Sequence, residues 1–274
     1  MQKMHDVMQD ALRRTWAAGR RKWGMAILAV LVIAPFSVKA QASVRIKIAA
    51  ASNLKFVLAD LTSQYKQQTG VQVDVNLGAS GNLARQILQG LPVEQFISAD
   101  EERVAELAQA GLTRDAGQRY ATGRLALIVP KNSALPLAQG LAAVVRALKP
   151  GDKLAMANPA LAPYGMAAEE ALQRSGMGGL AARHKVLGEN IGQTTQFVAT
   201  GAAQAGITAL AMTTAPEIAQ ILQVLPLPAH LHAPLNQRMV LLKQASSAAA
   251  AWHRFLLSPQ AQTVFVRHGY ALPQ

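Results

Sequence analysis

From residue 44 onward the chain switches between two hydrophobic periods. Residues 44–49 alternate apolar and polar side chains, with the β-branched Val44, Ile46 and Ile48 in phase, which predicts a strand. Residues 53–69 carry Phe56, Leu58, Leu61 and Tyr65 at helical spacing and then meet Gly70, a helix with a glycine stop. Residues 71–77 alternate again. Residues 81–89, with Leu83, Ile87 and Leu88, predict a helix ended by Gly90. Residues 96–97 read as a short strand, and 101–110 as a helix ended by Gly111. This βαβα order predicts a parallel sheet covered by helices. Residues 125–129 are a strongly apolar strand that stops at Pro130, and a second series follows. It has strands at 153–157, 184–187, 205–210, 221–225 and 238–242, and helices at 167–174 and 193–200. Two terminal helices, 247–257 and 259–268, are separated by the Ser258-Pro259 break. Two α/β series with neither a linker nor an internal repeat predict two intimate lobes, with crossings near 122–126 and 211–222.

The first forty residues follow a different pattern. Arg20-Arg21-Lys22 precedes an uncharged apolar run from Trp23 to Phe36, and the small-residue patterns Val38-Lys39-Ala40 and Ala40-Gln41-Ala42 come next. A basic start, a short apolar stretch and an A-x-A-like end describe a secretory signal peptide over 1–40, cleaved after Ala40 or Ala42. The run is short of the roughly 20 residues of a membrane span, and no later stretch reaches that length. Without a cysteine to carry a lipid, the expected product is a free exported protein with no stable membrane insertion.

Composition narrows the classes. The chain has 274 residues, 51% of them hydrophobic, which is ample for a packed core and excludes a disordered or collagen-like chain. The absence of Cys excludes a disulfide framework, a cysteine nucleophile and thiolate metal sites. The net charge of +12 invites a nucleic-acid reading. Seven basic residues against two acidic ones lie in residues 1–40, however, and the others are scattered without aromatic interleaving. A solvated basic surface, with no nucleic-acid partner, is therefore expected.

In open α/β sheets ligands collect where strand C-termini meet helix N-termini. Four such junctions stand out. Ala49-Ala50-Ala51-Ser52-Asn53 and Leu77-Gly78-Ala79-Ser80-Gly81 both offer small residues that let backbone approach a ligand, followed by a hydroxyl at a helix start. Each serine alone reads equally as a plain N-cap; two in adjacent βα units point to an anion held at paired helix N-termini. Asn158-Pro159-Ala160-Leu161-Ala162-Pro163-Tyr164 fixes a loop before a helix, with Tyr164 as either a ligand or a core residue. Gly188-Glu189-Asn190-Ile191 places backbone N–H groups of Ile191 at a fourth helix start.

Six segments make the chain recognisable: AAASN at 49–53, GASGNLARQILQGLP at 78–92, FISAD at 96–100, NPALAPYG at 158–165, GENIGQTTQFVATGAAQAGI at 188–207 and LHAPLNQRMVLL at 231–242. In this order and spacing they resemble the periplasmic molybdate-binding proteins of ABC transporters, over nearly the whole chain after the leader. The resemblance implies an α/β, two-lobed periplasmic-binding-protein fold of type II, each lobe a mostly parallel sheet flanked by helices, with the ligand in the cleft between them. Residues 41–123 plus 222–274 would form lobe 1, and 124–221 lobe 2. The implied ligand positions are Ser52, Asn53, Ser80, Tyr164 and the backbone of Ile191. Asn53 stands where many members have an apolar residue, and Gln95 replaces the family's usual acidic residue before the FISAD phenylalanine.

The implied function is capture of molybdate, and of tungstate, in the periplasm by a monomeric exported protein that closes by a hinge and delivers the anion to an ABC permease with its ATPase. No cofactor, no direct protein–metal ligand and no catalytic residue is expected. Neutral donors suit such an ion: a site of donors alone favours a fully deprotonated oxyanion and rejects hydrogenphosphate, whose proton would find no acceptor. Sulfate or another tetrahedral oxyanion is the alternative ligand. Asp100, the nearby carboxylate, reads as the cap of the following helix. A secreted hydrolase is a weaker alternative, since neither Ser52 nor Ser80 lies in a G-x-S-x-G elbow. His230 and His232, flanked by prolines, read as a surface loop.

Overall fold

The computed structural model describes residues 44–273. The expected leader and its cleavage point lie outside the described residues.

Among the described residues, ten strands form two five-stranded sheets. The first contains β1 (Arg45–Ala51), β2 (Gln72–Gly78), β3 (Gln95–Ile97), β4 (Gln118–Gly123) and β10 (Leu235–Leu241), in the order β2-β1-β3-β10-β4. The second contains β5 (Leu125–Pro130), β6 (Leu154–Ala157), β7 (Lys185–Gly188), β8 (Ala205–Ala209) and β9 (Leu222–Pro226), in the order β7-β6-β8-β5-β9. Both sheets follow one plan. β2, β1 and β3 run parallel, as do β7, β6 and β8, and in each sheet the next strand (β10 or β5) runs antiparallel. The parallel half of each sheet is the predicted βαβ series; the antiparallel half is not apparent from alternating periodicity.

Helices α1 (Lys55–Thr69), α2 (Ser80–Leu88) and α3 (Glu102–Gln109) flank the first sheet; α4 (Leu141–Ala147), α5 (Pro163–Arg174), the single turns α6 (Gly178–Ala181) and α8 (Pro216–Ala219), and α7 (Ile191–Ala199) belong to the second series. The terminal pair, α9 (Ser247–Leu256) and α10 (Pro259–Arg267), follows β10. Burial explains the placement. Ile46 and Ile48 of β1 pack with Val57, Leu58 and Leu61 of α1 on one face, while Ala49 joins Leu83, Ile87 and Phe96 on the other. Each fully buried side chain of this size contributes roughly 1.5–3 kcal/mol, so both faces of the strand are fixed by apolar burial rather than by helix propensity. Gly70 ends α1 with φ +73°, in the left-handed region expected of a glycine stop.

The chain leaves the first sheet at Arg124, between β4 and β5, and returns over residues 227–234, between β9 and β10. This corrects the expected boundary at 222 and the crossing near 211–222. Residues 222–226 remain in the second sheet, because β9 pairs antiparallel with β5 from Ala126↔Pro226 to Pro130↔Leu222. β4 was not expected as a strand, nor α4 as a helix; Arg119 and Thr122 break the apolar pattern of the one, and the other is only seven residues long.

Candidate functional site

Four junctions at the C-terminal ends of the parallel strands β1, β2, β6 and β7 point at one place. Ser52 opens a 3-10 turn, Ser52–Leu54, that runs straight into α1. Ser80 is the first residue of α2, Tyr164 the second of α5, and Ile191 the first of α7. Ser52, Asn53, Ser80, Tyr164 and Ile191 all line a single cavity, together with Ala51, Gly78, Ala79, Ala99, Ala162 and Pro163. All five are buried, with exposures of 7%, 1%, 1%, 2% and 2%. The cavity volume is about 10 Å³, close to the least that holds one water molecule and far below the roughly 300–1,000 Å³ of pockets that take drug-sized organic molecules. No lining residue carries a charge.

Helix starts supply the electrostatics. Ala51, Ala79 and Ala162 occupy the N-cap positions of the 3-10 turn, α2 and α5, and none has a side chain able to cap. Their first-turn N–H groups therefore keep the partial positive charge of a helix N-terminus without a side-chain acceptor. At α7 the Asn190 side chain accepts only from the Gln193 N–H, at 3.1 Å, leaving the earlier N–H groups without a side-chain partner. Ser52 and Ser80 stand one position inside the helix and do not act as its caps. The Ser80 hydroxyl oxygen instead accepts from the Ala99 N–H at 3.0 Å, which leaves its proton free.

Asp100 stays out of this arrangement. Its carboxylate accepts from the Ser98 hydroxyl and the Arg103 N–H, each at 3.0 Å; it stands one position before the N-cap of α3, which is Glu101 rather than the expected Asp100. Burial pushes its pKa above the ordinary value, against the lowering effect of those bonds. Glu101, next in sequence, accepts from Arg119 at 2.7 and 2.8 Å and from Arg238 at 2.6 and 3.0 Å, and these bonds hold its pKa down at about 2. Gln95 is fully buried, with its side-chain amide 3.0 Å from His253 Nδ1, and does not line the cavity. His230 is exposed, as expected, but His232 is buried with Nδ1 2.7 Å from the Ala233 carbonyl. Among the described residues no group of three His, Asp or Glu side chains could hold a metal ion.

A buried polar network, not anticipated from the sequence, lies next to the cavity. Asn53 Nδ2 donates to Gln237 Oε1 at 3.0 Å and to the Tyr270 hydroxyl at 2.8 Å. The Tyr120 hydroxyl lies 2.7 Å from Gln237 Oε1 and 2.9 Å from the Ser98 carbonyl, and Tyr270 donates to the Asn53 carbonyl at 2.9 Å. Gln237 Nε2 donates to the Tyr164 hydroxyl at 2.9 Å. The Asn53 side-chain N–H groups are thus committed inside the protein, and its Oδ1 is buried without a partner. Burial raises the pKa of Tyr164, as it does those of Tyr120 and Tyr270, so all three stay neutral. A signal for Gln237 does exist in the sequence. Alternation along Leu235–Leu241 puts it on the same face as Leu235 and Met239, a polar residue in an apolar row.

The two sheets meet across this cavity. Gly81 N–H, in the first turn of α2, donates to the Leu161 carbonyl before α5 at 3.0 Å, and a Cβ at Gly81 would already touch that oxygen at 3.0 Å. The Gln237–Tyr164 bond is a second tie, from β10 to α5. Small residues at 81 and at Gly123, where a Cβ would overlap the Tyr164 hydroxyl, let the two halves come this close.

A fold of two like sheets with a buried, donor-lined cavity between them is that of a solute-binding protein. The chain belongs to the family of bacterial extracellular solute-binding proteins, whose model matches residues 46–271. It is 33% identical over 231 residues to the molybdate-binding protein ModA of Azotobacter vinelandii, covering 83% of this chain and 90% of that one. To ModA of Rhodobacter capsulatus it is 32% identical over 226 residues, covering 81% and 86%. Among solved structures, the periplasmic molybdate-binding protein of Azotobacter vinelandii superposes with a TM-score of 0.76 at 30% identity, over 84% of this chain and all of that one. The sulfate-binding protein SubI of Mycobacterium tuberculosis shares the fold, with a TM-score of 0.66 at 17% identity. These relatives are binding proteins rather than enzymes.

Proposed function

We propose that this protein captures molybdate, and tungstate with it, in the cavity between its two sheets and hands the anion to an ABC-type permease and its ATPase. The observation that carries this reading is the convergence of Ser52, Asn53, Ser80, Tyr164 and Ile191 on one small, uncharged cavity at four helix starts, three of which have alanine N-caps. The hydroxyls of Ser52, Ser80 and Tyr164 and the main chain of Ile191 supply donors; Asn53 acts through its main chain, since its amide protons are used elsewhere. Hydrogen bonds to a charged acceptor contribute about 1.5–3 kcal/mol each, so a handful of neutral donors can hold a dianion without a lysine or arginine. Such a site selects an ion that carries no proton at neutral pH. The identity to molybdate-binding relatives supports molybdate over sulfate. Lobe closure over the ion, with 41–123 and the C-terminal segment on one side, would make the closed form the one presented to the permease. The expected site of action is the periplasm, and the expected state is a monomer. Among the described residues no helix is long and apolar enough to cross a membrane.

A thermal-shift panel on the purified protein tests this. A ligand present at 100 times its dissociation constant adds about 2.7 kcal/mol, which is several degrees for a domain of this size. Molybdate and tungstate should shift the transition, and sulfate and phosphate should not. A shift with sulfate and none with molybdate would overturn the substrate assignment; no shift with any of the four would overturn the anion reading.

A further inference from the structure

Gln237 does not line the cavity, yet each polar atom of its side chain bonds a residue that does. It is fully buried on β10, and the register of β10 against β4 slips between Gln237 and Arg238. Such a bulge re-aims side chains. Here it separates two neighbours: Arg238 turns to Glu101, and Gln237 turns under the cavity. Its Oε1 faces two groups from the same half of the molecule, Asn53 Nδ2 at 3.0 Å and the Tyr120 hydroxyl at 2.7 Å. Its Nε2 faces the Tyr164 hydroxyl, from the other half, at 2.9 Å.

An amide has one acceptor end and one donor end, and the environment decides which faces where. With Asn53 Nδ2 donating to it, the Gln237 end nearest Asn53 must be the oxygen, so the end nearest Tyr164 must be the nitrogen. The Tyr164 oxygen then accepts, and a phenol has a single proton. That proton is not used by Gln237, and Tyr164 is one of the residues that line the cavity. Turned the other way, Gln237 would present an oxygen, take that proton, and leave Tyr164 with lone pairs toward an anion. Such a reversal needs Asn53 to turn as well, since two amide nitrogens or two amide oxygens cannot face one another at 3.0 Å.

We infer that Gln237 is a positioning residue for anion binding: by donating to Tyr164 across the cleft it fixes the tyrosine as an outward donor and ties the two halves in the closed form. This rests on the proposed role of Tyr164 as an anion ligand. It gives the polar residue in the β10 row a function that packing alone does not.

The test is a double-mutant cycle in molybdate affinity, read by calorimetric titration, with the melting temperature of each variant measured alongside. Tyr164→Phe should weaken binding about tenfold. Gln237→Met, similar in length but without a donor, should weaken it by a comparable factor. In the Tyr164→Phe background Gln237→Met should cost less than about twofold more, because its effect passes through the missing hydroxyl. Gln237→Glu, which offers only acceptors when ionised, should be worse than Gln237→Met. Should Gln237→Met fail to fold, Gly123→Ala replaces it in the cycle. Its Cβ would crowd both the Tyr164 hydroxyl and Gln237 Nε2, so it should cost affinity in the parent and little in Tyr164→Phe. If Tyr164→Phe binds as tightly as the parent, the proposed role of Tyr164 is wrong. If Tyr164→Phe weakens binding while the partner substitution leaves affinity unchanged, or adds its full cost in both backgrounds, the positioning role is wrong and the binding role of Tyr164 stands.

Discussion

Serine occurs at helix starts in two regions of this molecule and does different work in each. In the C-terminal pair, Ser246 and Ser258 occupy the N-cap positions of α9 and α10 and accept from the Ala249 and Ala261 N–H groups at 3.2 and 3.3 Å. At the cleft, Ser52 and Ser80 sit one residue further in, behind alanine N-caps that cannot bond. The first pair satisfies its own helix. The second leaves its helix N-termini without a side-chain cap and adds a hydroxyl beside each. A shift of one position thus separates a helix cap, which contributes about 1 kcal/mol, from the arrangement proposed above for holding an anion.

Four predictions would break or sharpen that contrast. The largest effect is expected at Ser80. Ser80→Ala removes one donor to the anion and should weaken molybdate binding by between about ten and one hundred fold, using 1.5–3 kcal/mol for a hydrogen bond to a charge. It also strips Ala99 N–H of its acceptor, so a small fall in melting temperature should accompany the loss. Ser52→Ala should weaken binding by about tenfold with no fall in stability, because no capping bond is lost. Equal affinity for the parent and the Ser52 variant, measured by titration, would move Ser52 out of the site.

Next comes the opposite pattern. Ser246→Ala or Ser258→Ala should cost about 1 kcal/mol of stability in urea unfolding and leave affinity untouched.

The smallest effects concern acid. Glu101 has its pKa lowered to about 2 by its two arginines, so it contributes stability that is present above about pH 4.5 and lost as the pH falls toward 2. Its side chain is 31% exposed, so solvent screening keeps this below about 1 kcal/mol. His253 is also lowered, by burial first, and its contribution is likewise present above its ordinary value of 6.5 and fades below it. Urea unfolding between pH 7 and pH 4 should show stability falling, and Glu101→Gln should flatten the part of that fall nearest pH 4.

Much of this was legible in the sequence, and the exceptions have physical causes. The parallel strands β1, β2, β6, β7 and β8 and their helices announce themselves through period and glycine stops, because each sets apolar residues against the core, fully buried in β1, β6 and β8 and partly buried in β2 and β7. The junction residues were legible as small-residue runs ending in a hydroxyl. Whether a serine is the N-cap or the first helical residue was not, since a one-residue difference in helix start decides it and periodicity does not locate ends that finely. β9 belongs to the second sheet through its pairing with β5, a tertiary contact that no local pattern reports. Gln237 is hidden for a related reason: the apolar pattern predicts a strand only from 238, and the buried polar residue lies outside it.

The contrast between the two pairs of serines reduces to one measurement. Molybdate titration and melting temperature would be compared for the parent, Ser52→Ala/Ser80→Ala and Ser246→Ala/Ser258→Ala. The cleft pair should lose at least about a hundredfold in affinity while its melting temperature falls by no more than a few degrees, whereas the capping pair should lose several degrees and bind as the parent does. A cleft pair that binds molybdate as tightly as the parent would contradict the account.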